Sequence, residues 1–447
     1  VHPAEKYDGK VPRYTSYPTA PHFTAAVDGD TYRRWLGELP PAEPLSLYFH
    51  IPFCDSMCWF CGCYTKIVRQ YQPIADYLGV LGAEIDLVAS ALPARCRARH
   101  LHWGGGSPTM LHPDDWRALI DRLRQRFDIA ADADLAVEID PRDATEDYIA
   151  AIAEAGVNRA SIGVQDFDPT VQTAVNRIQP FPVVARVCGW LRQHGIDHIN
   201  LDLMYGLPYQ DVARVVAMVD QAVSLAPSRI ALFGYAHVPW MKSHQKLIDE
   251  ALLPDAQARW QQATAAAEHL RQAGYRAIGL DHFARPDDPL AVADANGRLR
   301  RNFQGYTTDD ASLLLGFGAS AIGSLPQGYV QNATPINQYR QTIGAGRPAT
   351  ARGIRLSADD RLRGAIIERL MCRLTVDIDD LCADVDGRPD DFDDALHALA
   401  PMAGDGLVVI DHRRIRVTEA GRPFVRVVAA AFDRYLRQGE VRHSRAV

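Results

Sequence analysis

From residue 45 onward the chain alternates short apolar runs with amphipathic ones, and this alternation restricts the fold more than any other feature. Apolar runs at 45–51, 100–103, 135–139, 159–164, 198–204 and 230–235 predict strands. Apolar positions with helical spacing at 74–91, 113–125, 146–155, 183–194 and 212–225 predict the helices between them. A strand, a helix and a further strand in this order pack as a right-handed βαβ unit with parallel strands. The expected fold class is therefore α/β, an open or partial (β/α)6 TIM-like barrel. A complete eight-fold barrel requires two more repeats, and the sequence does not show them.

The flanks read differently. Residues 1–44 are expected to form an N-terminal arm with one short helix near 31–39 and few core positions, so that removing residues 1–20 leaves the barrel folded. A long helix is expected at 255–272, followed by a loop-rich stretch over 281–350 that completes a barrel domain spanning 45–350. Residues 351–447 form a small C-terminal domain, mainly helical and winged-helix-like. Its helices are expected at 359–372, 377–381, 391–403 and 421–436, with two short strands at 407–410 and 415–417.

With 47% hydrophobic and 23% charged residues and a net charge of -7, the chain has the composition of a globular protein and lacks the basic excess of a nucleic-acid binder. The C-terminal domain is accordingly read as structural. No apolar run is long enough for a membrane span, and residues 1–18 lack the apolar core of a signal peptide. A cytoplasmic monomer is expected.

Four of the eight cysteines fall within ten residues, in the segment HIPFCDSMCWFCGC directly after the first strand. Cys54, Cys58, Cys61 and Cys63 are too crowded for a disulfide framework or for ordinary buried thiols. Cys96, Cys188, Cys372 and Cys382 are scattered and carry no expected role. Soft thiolates in one compact loop point to a [4Fe–4S] cluster; a zinc site, which usually joins two ligand pairs across a longer loop, is the alternative.

Further polar signals stand at strand ends, where active sites of such folds gather. Gly104-Gly105-Gly106-Ser107 follows the second strand, Glu138 ends the third, Gln165 follows the fourth, Arg177 lies twelve residues on, and Asp202 sits in the fifth. A carboxylate, an amide and a guanidinium suit ribose hydroxyls and an amino acid moiety. Each alone is more often a surface or capping residue.

The C-x3-C-x2-C spacing of Cys54, Cys58 and Cys61 resembles the signature of the radical S-adenosylmethionine (SAM) superfamily. The likeness narrows further. The fourth cysteine, the arm Pro12-Arg13-Tyr14-Thr15-Ser16-Tyr17-Pro18-Thr19-Ala20 and the segments GYAH, DHFARPDD and RNFQGYTT together resemble the oxygen-independent coproporphyrinogen III oxidase family, the anaerobic coproporphyrinogen dehydrogenases of haem biosynthesis. The likeness spans nearly the whole chain. Ser107 stands where Thr is usual and keeps the hydroxyl. Tyr64-Thr65 replaces an Asn, with one residue inserted.

The resemblance implies that Cys54, Cys58 and Cys61 are cluster ligands and Cys63 is not, leaving one iron open to SAM. It places Tyr48, Phe60, Gly105, Glu138 and Ile322 around the cluster-bound SAM. Gly106, Ser107, Gln165, Arg177, Asp202 and Ala236 fall around a second SAM. It gives Tyr48 and Cys63 catalytic positions. The implied reaction is oxidative decarboxylation of two propionates of coproporphyrinogen III to the vinyl groups of protoporphyrinogen IX, begun by a 5′-deoxyadenosyl radical. A low-potential flavodoxin- or ferredoxin-like donor and an electron acceptor are implied partners, with neither nucleic acid nor membrane. Arg13, Arg285, Arg301 and Arg355 are candidates for the substrate carboxylates. Competing readings are a haem chaperone of the superfamily, a radical enzyme that degrades haem, and an RNA-modifying radical enzyme.

Overall fold

The structure is a computed structural model that describes residues 3–7, 9–385 and 387–436. Seven parallel strands form its centre: β1 (Leu45–Ile51), β2 (Arg97–Gly105), β3 (Asp128–Ile139), β4 (Arg159–Gln165), β5 (His198–Tyr205), β6 (Arg229–Gly234) and β7 (Leu313–Phe317). They pair in the order β7-β1-β2-β3-β4-β5-β6. The six strands expected from the sequence are β1–β6. The helices between them are Gln72–Ala91, Pro113–Arg126, Glu146–Glu154, Phe181–Gln193 and Val212–Ser224. Thr145 and Asp211 cap two of them by accepting from the N–H of Tyr148 and Arg214.

Buried parallel strands usually read as unbroken apolar runs. Here they alternate. Ala160, Ile162 and Val164 of β4 are fully buried under helices, while Arg159, Ser161 and Gly163 between them are partly exposed on the other face. In β5, Ile199, Leu201 and Leu203 alternate with Asn200 and Asp202 in the same way. The polar residues therefore line the concave face of an open barrel.

Two expectations need correction. The stretch 281–350 is not loop-rich: it carries β7 and short antiparallel strands that extend the sheet to twelve strands, with Ile322–Leu325, Gly328–Asn332 and Thr350–Arg355 beyond β7. Its glycines look like loop signals but serve packing. A Cβ at Gly316 would run into the Ile322 backbone of the next strand. Nor is the arm poor in core positions. Val11, Tyr14 and Tyr17 are buried with Ile366, Leu370, Phe424 and Phe432 in the core of the C-terminal region. The Tyr14 hydroxyl donates to Asp433 at 3.0 Å.

The C-terminal region folds as Ala358–Arg373, Ile378–Asp384 and Asp393–Gly404 around a three-stranded sheet of Thr375–Asp377, Val408–Asp411 and Arg414–Val417. The first of these strands was not expected. The last helix is also shorter than expected, Val425–Ala430, because Asp433 accepts the backbone N–H of Tyr435 and Leu436 and so closes a turn in place of a further helical turn.

One buried carboxylate ties the sheet to a helix. Glu84, on Gln72–Ala91, accepts from the Gly318 N–H (2.7 Å), the Asn332 amide (2.6 Å) and the Tyr339 hydroxyl (2.7 Å). Burial raises its pKa to about 7 against the pull of those donors. Glu84→Ala would leave three buried donors unpaired and should cost at least about 3 kcal/mol in urea unfolding. The folded protein holds the Glu84 proton more tightly than the unfolded chain. This contribution is therefore complete below the unfolded carboxylate pKa and is lost as pH rises through about 7. Between about pH 5 and pH 8 the protein should lose stability relative to a non-titrating Glu84→Gln variant. Parallel pH profiles would refute this account.

Candidate active site

The cysteine loop leaves the C-terminal end of β1. Its ends are held together by the Lys66 N–H to Pro52 carbonyl bond (2.7 Å) and the Val68 N–H to Cys54 carbonyl bond (3.1 Å). From outside, His244 donates to the Cys61 carbonyl (2.8 Å), Gln245 to that of Phe60 (3.0 Å) and Lys242 to that of Cys63 (2.9 Å). A tetrahedral zinc ion brings its thiolates within about 3.8 Å of one another. Among the described residues, the only three or more His, Cys, Asp or Glu ligand atoms all within 4.8 Å of one another belong to His100, Asp309 and Asp310. No three of the loop sulfurs therefore lie within 4.8 Å of one another, as they would around a single tetrahedral ion.

The glycine loop after β2 lies against this loop backbone to backbone. Gly106 N–H donates to the Ile51 carbonyl (2.8 Å) and Ser107 N–H to that of Phe53 (2.7 Å). Gly105 has φ +107°, and a Cβ there would collide with the His50 ring. Glu138 reaches up from β3 and accepts from the Gly105 N–H (3.1 Å) and from His102 Nε2 (3.1 Å). Burial works against its ionisation, but His102 and the Gly105 amide outweigh it and hold the carboxyl below its usual range.

A charged network backs the thiols. Arg177 donates to Cys58 Sγ (3.4 Å) and to Asp140 (3.1 Å), and Arg142 to Cys58 Sγ (3.6 Å), Asp140 (2.6 Å) and Ser56 (3.0 Å). Burial would raise the Asp140 pKa, yet the two guanidiniums bring it down to about 2. Both guanidiniums thus donate directly to a sulfur of a kind that binds metal as a thiolate. Arg177 Nε is buried with no hydrogen-bond partner among the described residues, a donor left for a ligand. Sequence reasoning missed Asp140 and Arg142, although they directly follow Glu138 at the end of β3.

A cavity of about 190 Å³ gathers most of the candidate residues: Cys54, Cys58, Phe60, Cys61, Cys63, Gly105, Gly106, Glu138, Gln165, Arg177 and Asp202 all line it. Burial and Glu138 push the Asp202 carboxyl up to about 6, although Ser161 and Asn200 donate to it. Tyr48 stands beside this group, its hydroxyl bonded to His50 Nδ1 (3.1 Å) and its ring against His102. Ile322 packs on Gly316, the register partner of Tyr48. Ser107 is not brought to the cavity; its buried hydroxyl donates to Thr109, which itself accepts the Asp140 N–H. Ala236 lies instead on a second cavity.

That second cavity, about 650 Å³, has walls of Leu232, Phe233, Tyr235, Trp260, Phe283 and Phe303. Six arginines (Arg13, Arg259, Arg271, Arg301, Arg422 and Arg426) face it, against two carboxylates, Asp281 and Glu419. Burial and Arg301 push the Arg13 pKa below its ordinary value while Asp281 opposes them; Cys63 is near enough to act on Arg13 as well. Arg301 Nε and Nη1 are buried with no hydrogen-bond partner among the described residues. Of the four arginines singled out in the sequence, Arg13 and Arg301 line this cavity. Arg285 is exposed, and Arg355 is exposed and stacked over Trp35 at 5.1 Å, so neither serves it.

The pattern of the radical SAM superfamily matches residues 48–222, and that of the HemN C-terminal domain matches residues 356–424. The chain is 53% identical to an oxygen-independent coproporphyrinogen III oxidase of Bradyrhizobium diazoefficiens, over 98% of this chain and 97% of that protein. With the oxygen-independent coproporphyrinogen III oxidase of Escherichia coli it shares 40% identity over 97% and 95% of the two chains. A solved structure described as coproporphyrinogen III oxidase (HemN) from Escherichia coli, a radical SAM enzyme, superposes with a TM-score of 0.90 at 39% identity, covering 96% of this chain and 100% of that one. With identity at this level over almost its full length, and with the cysteine loop, the glycine loop and the partial barrel all in place, the chain belongs to the oxygen-independent coproporphyrinogen III oxidase family of radical SAM enzymes.

Proposed function

We infer that the enzyme oxidatively decarboxylates two propionates of coproporphyrinogen III to vinyl groups, giving protoporphyrinogen IX for haem synthesis, and that the 650 Å³ cavity holds the tetrapyrrole. The supporting observation is the pairing of apolar walls with an excess of arginines over carboxylates, in a cavity whose Ala236 shares the Gln245 amide with the Phe60 carbonyl of the cysteine loop. A porphyrinogen is an apolar macrocycle with a rim of carboxylates, and buried guanidiniums bind carboxylates with charge-assisted, often bidentate bonds.

When bound, the cluster and SAM supply the hydrogen-abstracting radical. In this reading Cys54, Cys58 and Cys61 hold the cluster, while Arg142 and Arg177 offset its thiolate charge. Glu138, Phe60 and Gly105 bind the nearer SAM, with Tyr48 and Ile322 shaping its surroundings. Gln165, Asp202 and the unpartnered Arg177 Nε receive a second SAM, so the enzyme takes two per chain. Arg13 and Arg301 fix the substrate carboxylates. Cys63, which lines the smaller cavity and is near enough to Arg13 to act on it, serves the substrate and is not a ligand. The enzyme works as a cytoplasmic monomer, reduced by a flavodoxin- or ferredoxin-like donor and passing electrons on to an acceptor. Among the described residues no helix is long and apolar enough to cross a membrane.

Incubating the reduced, reconstituted enzyme with SAM and coproporphyrinogen III should yield vinyl products on chromatography, and their absence would refute the reading. Each of Cys54→Ser, Cys58→Ser and Cys61→Ser should lose the iron–sulfur absorbance. Cys63→Ser should retain it and slow only the formation of vinyl groups; loss of absorbance there would make Cys63 a ligand. Arg301→Ala removes charge-assisted bonds and should raise the substrate KM by about 10- to 100-fold, leaving SAM cleavage intact. An unchanged KM would place the carboxylates elsewhere.

A further inference from the structure

A carboxylate is out of place in a cavity that gathers arginines to receive carboxylates, yet the larger cavity has two. Glu419 is an exposed counter-ion: it pairs with Arg422 (2.7 Å) and Arg271 (3.5 Å), and its side chain is 68% exposed. Asp281 is different. Its side chain is 17% exposed, and among the described residues its one ion-pair partner is its neighbour His282. Burial works against its charge, but the His282 hydrogen bond, Arg301 and Arg13 bring its pKa down to about 2. An ionised carboxylate can only accept, so His282 Nδ1 donates to Oδ1 (2.7 Å). Oδ2 has no hydrogen-bond partner among the described residues, which leaves an acceptor on the cavity wall.

The backbone holds this carboxylate firmly. The Asp281 carbonyl accepts the Leu232 N–H (2.8 Å), and His282–Ala284 pairs antiparallel with β6. Just before it, Gly279 has φ +54°, and a Cβ there would collide with the Tyr306 ring. The Tyr306 hydroxyl accepts the Leu280 N–H (3.0 Å) and donates to the Met371 carbonyl (2.7 Å). Asp281 is not simply the counter-ion of the nearby arginines. Neither Arg13 nor Arg301 is ion-paired with it; Arg13 donates to the Gly234 carbonyl (3.2 Å), and Arg301 donates to the Arg13 carbonyl (3.2 Å) and lies over the Tyr306 ring at 4.4 Å. The wall thus presents a fixed anion with a free acceptor oxygen, in range of two cations assigned to a substrate's rim.

A porphyrinogen carries donors as well as carboxylates. Its four pyrrole N–H groups point to the centre of the macrocycle, and its saturated bridges let the rings tilt until those donors converge on one face. The oxidised porphyrin is flat, with two N–H groups lying in its plane, and haem has none. We propose that Asp281 is a specificity-determining residue: its Oδ2 accepts the converging pyrrole N–H groups and so selects the reduced macrocycle over porphyrin and haem, which the rim arginines alone cannot tell apart. This rests on the reading of the 650 Å³ cavity as the tetrapyrrole site. A buried carboxylate that gains N–H donors forms charge-assisted bonds, and a ligand without those donors leaves it unpaired and is turned away.

The test is anaerobic equilibrium dialysis of the intact enzyme, without SAM, against coproporphyrinogen III and against coproporphyrin III, which carry the same propionates. Bound ligand is read as porphyrin fluorescence after oxidation. The wild type should bind the porphyrinogen more tightly, a measurement that needs no variant. Asp281→Asn keeps the size of the side chain and an oxygen for His282, and so turns its amide N–H groups toward the pyrrole donors. It should lower affinity for the porphyrinogen by about 10- to 100-fold and leave affinity for the porphyrin unchanged, which also reports an intact fold. Arg301→Ala should weaken both ligands alike, because the rim is common to them. A wild type without preference would overturn the proposal, as would an Asp281→Asn that weakens both ligands equally or neither. A wild type that binds neither ligand would overturn the tetrapyrrole reading itself, and this proposal with it.

Discussion

The site depends on a place where two backbones meet without an intervening side chain. Gly106 and Ser107 donate to the carbonyls of Ile51 and Phe53, so the loop after β2 and the loop after β1 are laid side by side. Any Cβ at position 106 would meet the Phe53 backbone. That contact sets the height of Gly105, whose N–H then reaches Glu138, and leaves room for the His50 ring, which in turn holds the Tyr48 hydroxyl and the Tyr64 carbonyl. Residues from the first three strands are thereby fixed to one another before any ligand is considered. Such preorganisation is what a site handling a reactive radical requires.

Positive charge is used in two different ways. Behind the cysteine loop it is tied to a carboxylate: Arg142 and Arg177 share Asp140 and also donate to Cys58 sulfur. In the larger cavity six arginines face two carboxylates, and burial pushes Arg13 below its ordinary value. Burying cations together is costly, and the tetrapyrrole proposed above would bring carboxylates that offset that cost.

The alternation of apolar runs made β1–β6 legible, since a period of two in parallel strands already tells of one packed and one open face. The cysteine spacing located the loop, and Glu138, Gln165 and Asp202 were visible as polar residues at strand ends. What stayed hidden was what long-range packing decides. β7 is rich in leucine but ends at Gly316 and Gly318, so its signal resembles a loop. Glu84 reads as a surface residue of an amphipathic helix until Gly318, Asn332 and Tyr339 arrive from more than 230 positions away. Arg259, Arg422 and Arg426 sit on or beside helices with nothing local to separate them from solvated arginines. Ser107 kept the right chemistry for a ligand, yet the turn after Gly106 aims it at Thr109.

The insertion of Tyr14 and Tyr17 into the C-terminal core bears on the order in which the molecule can be assembled. Tyr14 and Asp433 are 419 positions apart, so their contact closes almost the longest loop the chain can make. Residues 11–17 emerge early in synthesis and must wait for partners at 362–436 made at its end. The cysteine and glycine loops, both complete by residue 107, can form while that wait continues. Arg13, which travels with the same segment, takes its place on the larger cavity only when the two ends meet. Completion of the larger cavity thus waits for the last helices, whereas the cysteine and glycine loops lie wholly within the first 107 residues.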